Sequence, residues 1–456
     1  MNISEQVASF IVNTEMEKIS PEAVSMAKNA ILDCVGVTVA GSADETGRII
    51  TGLVKDLGGQ PAAGVIGGGF WTSPPLAALA NGTMAHALDY DDVNHTMTGH
   101  PSVPLVPAVF ALGEDLKSSG EMITLAYIIG FEVETKVGAG VNINHYQKGW
   151  HATATLGTLG AAAAASKLLG LDVVKTRMAL GIAASAAAGI RQNFGTMTKP
   201  YHAGQAAKNG VLAAMLAQRG FTADANILEA PLGFCNLFTE NGSYNLDKIT
   251  AHLGDPLDIL KPGVVIKQYP SCAGTHRALD GMLALVKEYG IEGKEVEKVQ
   301  IKTISLIPKI LIHTRPRTGL EGKFSMQYCM SAAILDKKVG LQSFTDPMVN
   351  RSEIQELVKK VDMITYTQAE EGEIGGLRED LPEIVTVKLK SGKELKKEVK
   401  NPKGSPQDPL SKEQLMDKFI DCVNLVLPSR RGEQAAEFIN KLEKLSNISE
   451  LMKILV

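Results

Sequence analysis

The sequence predicts a mainly α protein: a large all-helical domain over residues 1–263 and 405–456, and a smaller α+β domain over 264–404. Three observations carry this expectation. The first half strings together Ala-rich runs closed by glycine, one of them opened by the capping residue Asp172. At Lys261-Pro262-Gly263 the texture changes to alternating charged and β-branched residues, the period of half-buried strands. Beyond the linker Asn401 to Pro409 (NPKGSPQDP) the pattern turns helical again from Lys412, and this last segment is expected to return to the first domain.

Taken in order, Ser20 followed by Pro21 is an N-cap and first-turn pair opening a helix towards Gly41. Gly67-Gly68-Gly69 lacks both the G-x-G-x-x-G spacing and a Walker lysine, so it reads as a turn after a short strand. Thr155 to Leu169 predicts a helix stopped by Gly170. Asp172 caps Val173 to Ala188, which ends at Gly189, and Ala203 to Arg219 ends at Gly220. Helices of Ala, Gly and Ser approach one another closely, so these form the centre of the helical domain, and packing accounts for every Ala in them. In the α+β module, Val299 to Ile307 and Ile384 to Leu389 predict strands. The second continues through Ser391-Gly392 into Glu394 to Val399 as a hairpin. Ser325 to Leu335 and Arg351 to Val361 predict helices between them.

Composition narrows the function classes. With 456 residues, 45% hydrophobic and 21% charged, the chain has ample material for a packed core. A net charge of -4 with scattered basic residues, and only 5% aromatics, argues against nucleic-acid binding. The five cysteines (Cys34, Cys235, Cys272, Cys329, Cys422) form no C-x-x-C pair, which speaks against structural zinc and for reduced thiols in a cytoplasmic protein. MNISEQVASF shows neither a basic leader nor a long apolar run, and no stretch is expected to reach the apolar length of a membrane span.

Four polar islands stand out from this background: Asp89 to Ser102 (DYDDVNHTMTGHPS), Lys148 to Gly160 (KGWHATATLGTLG), Thr196 to Lys208 (TMTKPYHAGQAAK) and Tyr269 to Arg277 (YPSCAGTHR). The first three place histidine, and the third also lysine, at a break ahead of a helix. Unpaired N–H groups and positive partial charge there suit a ligand rich in carboxylates. In the first island, Asp89, Asp91, Asp92, His95 and His100, with His86 upstream, admit a divalent-metal site, a magnesium-dependent prenyl-diphosphate site, or a polar helix end before Pro101. No second acidic cluster accompanies it, and the preferred reading has Asp89 orienting a base or substrate hydroxyl while His100 touches substrate. His151 is a helix cap or a catalytic acid–base; imidazole titrates near pH ~6.5 and suits proton transfer at neutral pH. Thr153 beside it can donate to substrate carboxylate oxygens. Proline at 200 disfavours helix at Lys199, which is expected to project from a loop end onto a substrate carboxylate. His202 binds substrate or caps a helix. His276 and Arg277 lie where the helical domain meets the α+β module, and Cys272 beside them reads as packing.

Together the islands resemble the MmgE/PrpD family, whose activities include 2-methylcitrate dehydration, cis-aconitate decarboxylation and iminodisuccinate epimerisation. ALDYDD, GHPS, GWHATATLG, TKPYHAG, YPSCAGTH and TGLEGKFSMQYC (Thr318 to Cys329) occur in family order. The resemblance implies a large all-helical domain carrying a smaller α+β lid with the active site between them, a homodimer, and no metal or organic cofactor. It implies catalytic roles for Asp89, His100, His151, Lys199 and His276, with Lys199, His202, Thr153 and Arg277 as substrate-binding candidates. Val93 stands where the decarboxylases have a threonine, and the stretch from Asp89 to His100 is one residue longer. NFGTMTKP is similar to the epimerase branch. The expected function is therefore a lyase acting on a small di- or tricarboxylate, with epimerisation of an iminodisuccinate-like dicarboxylate as the alternative. A metal-dependent or non-enzymatic helical protein is the remaining one.

Overall fold

The computed structural model describes residues 2–240, 242–371 and 381–456. The chain divides into two compact units: Met1–Asn193, Met197–Val264 and Ser411–Val456 form the first, Phe194–Thr196 and Val265–Leu410 the second.

The first unit is helical. Its elements are α1 (Ile3–Asn13), α2 (Pro21–Ser42), α3 (Glu45–Leu57), a hairpin of β1 (Ala63–Val65) and β2 (Phe70–Thr72), then α4 (Pro74–Ala87), α5 (Ser102–Leu116) and α6 (Gly120–Val141). There follow α7 (Asn144–Gln147), α8 (Ala152–Leu168), α9 (Val173–Ala186) and α10 (Thr198–Gln218). The capping logic holds where it was readable: Ser20 accepts from the Ala23 N–H, Asp172 from the Lys175 N–H, and Gly170 sits at φ 60°. The glycine run turns the β1–β2 hairpin, with Gly67 and Gly69 both at positive φ.

At the centre, α10 packs on both α4 and α8. Small residues set their spacing. A Cβ on Gly204 would lie 2.3 Å from the Leu79 carbonyl, and one on Gly210 would lie 2.4 Å from the Ala161 Cβ. The last segment belongs to this unit: the helix Lys412–Val423 carries Lys418, whose ammonium is 2.6 Å from Asp33 of α2 and 2.8 Å from the Tyr90 carbonyl.

Two expectations need correction here. The helix predicted to open at Ala203 opens at Thr198, so Lys199 and Pro200 lie in its first turn. Proline is tolerated there because its missing N–H has no intrahelical partner to lose. And one helix, α2, is long and apolar enough to cross a membrane by length and composition, with 72% of its most apolar window buried within the protein. Its Ala23, Ala27, Ala30, Ile31, Val35, Val37 and Val39 are buried in the core of this unit.

The second unit holds a four-stranded sheet of order β4-β3-β5-β6, made of β3 (Val296–Thr303), β4 (Val361–Thr365), β5 (Glu383–Leu389) and β6 (Glu394–Val399). β3 pairs parallel with β4 and antiparallel with β5, and β5–β6 is the expected hairpin, turned at Gly392 with φ 85°. The helices Met326–Asp336, capped by Ser325, and His276–Tyr289 belong to the same unit. β3 stops short of the predicted Ile307, which opens the short helix Ile307–Ile310. The stretch predicted as helix from Arg351 to Val361 is helical only over Ser352–Val358, and Val361 begins β4. A β-branched residue followed by Asp362 and Met363 is read equally well by either period, and pairing with Val299 decides it. All five cysteines are free thiols.

Candidate active site

Three helix ends of the first unit build the site. α4 delivers His86 in its last turn, and the chain then reverses at Asp89, held at φ 50°, a left-handed conformation that aspartate tolerates. The loop that follows is pinned by its own polar groups. Asn94 and Gly99 exchange backbone hydrogen bonds, the Asn94 amide donates to the Gly263 carbonyl at 2.9 Å, and its oxygen accepts from the Met97 N–H at 3.0 Å. Asp92 accepts from the Ser102 N–H at 3.1 Å and from the Ser102 hydroxyl, serving one of the orphan donors at the start of α5. His100 is therefore fixed at both ends of its loop, and its N–H donates to the Thr153 hydroxyl at 3.0 Å.

His151 is the N-cap residue of α8, but its ring does not cap. It turns to α10, where its Nδ1 lies 3.1 Å from Nδ1 of His202. One of these nitrogens must carry the hydrogen and the other the lone pair. Lys199 enters from the first turn of α10, with its ammonium 2.6 Å from Asp89 Oδ1. The same carboxylate oxygen lies 3.8 Å from His100 Nε2. His86 and His100 approach with ring centroids 4.4 Å apart, and His86 stacks on His151 at 5.8 Å.

Burial governs the electrostatics. Lys199 is 4% exposed, Asp89 3% and His151 1%, so the ion pair and the His151 imidazole lie in a medium far less polar than water. Burial, then the charge of Lys199, holds His151 well below the usual histidine range. Burial and Lys199 also pull His202 down to about 4. Both imidazoles are thus neutral at neutral pH, the state in which a histidine can take a proton. His86 falls to about 3, with burial outweighing the opposing pull of Asp91. Asp92 rises to about 8, chiefly by burial, with Asp33 and Asp91 adding to the rise.

Asp89, His100, His151, Lys199, His202 and Thr153 of the sequence reading come together in this unit. Two details differ from expectation: Lys199 projects from a helix, not a loop end, and His202 lies within α10, past its first turn, and so is not its cap. Thr153 accepts from the His100 N–H, which leaves its hydroxyl hydrogen to donate. His276 and Arg277 belong to the second unit. His276 opens its helix, is 1% exposed, and its Nε2 is 3.2 Å from the Ser271 carbonyl with Tyr269 edge-on at 5.2 Å. Arg277 donates to the Leu381 carbonyl at 3.0 Å.

His86 and Asp91 are site residues that sequence reasoning left in the background. The signal available was a lone histidine on an otherwise apolar helix, five residues ahead of an aspartate. His86, Asp89, Asp91 and His100 bring one ligand atom each within 4.8 Å of one another, a spacing a cation would accept. The Lys199 ammonium already supplies a positive charge at Asp89 in that cluster.

Comparison with known proteins agrees over the whole chain. Residues 5–247 match the MmgE/PrpD N-terminal domain, and residues 269–444 match the MmgE/PrpD C-terminal domain. Human cis-aconitate decarboxylase is 31% identical over 471 residues, covering 100% of this chain and 94% of that protein. The mouse enzyme of the same name is 30% identical, covering 100% and 93%. That of Aspergillus terreus is 27% identical, covering 99% and 96%.

Proposed function

The chain belongs to the MmgE/PrpD family, and from that premise we propose that it is a lyase which eliminates CO2 or water from a small di- or tricarboxylate. The observation that carries the reading is a buried ammonium, Lys199, 2.6 Å from Asp89, beside the imidazoles of His100 and His151 on adjoining helix ends. Removing a proton from a carbon next to a carboxylate, or losing CO2 from it, sends the electron pair into that neighbouring carboxylate as an enediolate-like dianion. Water stabilises such a species poorly. A fixed ammonium, N–H donors and helix N-termini aimed at the developing charge stabilise it without reorganising.

In this reading Lys199, oriented by Asp89, binds the carboxylate that receives the charge. The neutral His151 is the base towards carbon, or the acid that protonates the carbanion after CO2 departs. His202 fixes the His151 ring through the contact between their Nδ1 atoms. His100 touches the substrate through Nε2, the ring nitrogen that faces the Asp89–Lys199 pair. His276 is assigned to the same acid–base chemistry from the family resemblance. The reading includes a cytoplasmic homodimer that needs neither metal nor organic cofactor. Relatives bearing the name cis-aconitate decarboxylase favour a tricarboxylate.

A second reading, epimerisation of an iminodisuccinate-like dicarboxylate, is favoured by the stretch Asn193 to Pro200 and by the buried Val93, which offers no hydroxyl. It uses the same carbanion and returns the proton to the opposite face.

Incubation with cis-aconitate, 2-methylcitrate and iminodisuccinate in D2O, followed by NMR, separates the two. CO2 loss or dehydration supports the lyase, and deuterium uptake with inversion supports the epimerase. Absence of both reactions across the panel would remove this proposal. Exhaustive chelation is expected to leave the rate unchanged.

A further inference from the structure

The Asp91 carboxylate sits between two imidazoles. Its Oδ1 and Oδ2 lie 2.9 and 3.0 Å from His86 Nδ1, and its Oδ2 lies 2.8 Å from His100 Nδ1. The side chain is wholly buried. The only other acceptor described at His100 Nδ1 is the Asp92 carbonyl, at 2.9 Å. Carboxylates and carbonyls accept hydrogen bonds and cannot donate them, so both Nδ1 atoms must carry hydrogen. A neutral imidazole with hydrogen on Nδ1 keeps its lone pair on Nε2. For His100 that nitrogen is the one facing the Asp89–Lys199 pair, 3.8 Å from Asp89 Oδ1.

Burial alone would raise the Asp91 carboxyl, but the two histidines outweigh it and hold the group well below the usual carboxylate range. The acceptor is therefore ionised at neutral pH, which keeps the pattern from inverting.

We infer that Asp91 is a positioning residue which locks His86 and His100 together in the Nδ1–H tautomer and so presents Nε2 of His100 to the substrate. His100 is thereby delivered as a group that can take a proton at Nε2, or hold one there once protonated. With hydrogen on Nε2 of the neutral ring, the residue could only donate. The inference deepens the function proposed above and rests on it for its catalytic consequence. The tautomers themselves are independent of any substrate.

The test uses the full chain labelled with 15N at its nine histidines and long-range proton–nitrogen correlation spectra near neutral pH. His86→Gln and His100→Gln spectra assign the two signals. Both histidines are expected to show a protonated Nδ1 and a bare Nε2, and either one with hydrogen on Nε2 would overturn the inference. Asp91→Asn keeps the shape of the side chain but offers one acceptor and one donor, so it can satisfy only one of the two rings. One histidine is then expected to change tautomer, with kcat falling about 10²- to 10⁴-fold and KM little altered. Unchanged tautomers in Asp91→Asn, or changed tautomers with unchanged kcat, would equally refute it. If no acid in the panel turns over, the functional reading fails while the wild-type spectra still decide the tautomers.

Discussion

At the scale of single residues, the pair Lys199–Asp89 separates binding from stability. Two buried charges 2.6 Å apart compensate one another, and removing one strands the other in a poorly solvating interior. Lys199→Met should therefore cost about 3–5 kcal/mol in chemical denaturation and about 10²- to 10³-fold in kcat. The double variant Asp89→Asn/Lys199→Met leaves no uncompensated charge, so it should recover most of the lost stability while remaining inactive. Equal stability losses in the single and double variants would mean that Lys199 matters through packing alone. His151 is tested differently. His151→Gln should abolish carbon–deuterium exchange, and near-normal exchange would remove it from the mechanism. Lys199 and His151 were legible in the sequence because each combines a titratable group with a helix boundary. Asp91 was not. In Asp-Tyr-Asp-Asp the three carboxylates look alike, and only the folded loop sends Asp89 to Lys199, Asp91 to two histidines and Asp92 to Ser102.

Among elements, the site depends on how closely α4 and α10 approach, since they carry His86 and Lys199 respectively. Gly204 permits that approach: a Cβ there would lie 2.3 Å from both the Leu79 carbonyl and the Thr83 hydroxyl, one of them backbone that cannot step aside. Gly204→Ala is expected to cost about 1–3 kcal/mol or more and to lower activity by shifting Lys199 against Asp89. Gly52 of α3 is the control, because a Cβ there meets nothing within 4 Å. Gly52→Ala should stabilise by about 0.5–1 kcal/mol with unchanged activity. Denaturant midpoints decide both, and a neutral Gly204→Ala would show that the helices can part without loss. The small-residue runs made helix and close packing legible in advance. They could not tell that α10 starts five residues before Ala203, because a proline two positions into a helix looks, in sequence, like a proline that ends one. The strand β4 escaped for a related reason: Val361 to Thr365 is five residues long, and its parallel partner β3 lies some sixty positions away, beyond any local period.

For the molecule as a whole, buried titratable groups make stability depend on pH in a direction that can be worked out. Asp92, raised to about 8 against an unfolded value near ~3.9, keeps a proton in the folded state that the unfolded chain releases. Its stabilising contribution is complete below about pH 4 and is lost progressively as pH rises towards 8. Glu132 and Glu383, both raised to about 7, act in the same sense. His86, lowered to about 3, and His145 and His202, lowered to about 4, act oppositely. The unfolded imidazoles take up protons below pH ~6.5, so stability falls on acidification and the histidine contribution is constant above that pH. Between pH ~6.5 and 8 the carboxyl branch is left alone, and the denaturant midpoint should decline as pH rises, with Asp92 giving up to about 1.4 kcal/mol per pH unit. Asp92→Asn mimics the protonated form at every pH: its amide nitrogen can donate to the Ser102 hydroxyl while its oxygen still accepts from the Ser102 N–H. The variant should fold and should flatten the decline, most visibly between pH 7 and 8, where Glu132 and Glu383 have largely titrated. A midpoint that falls as steeply in Asp92→Asn as in the wild type would show that the proton is held elsewhere.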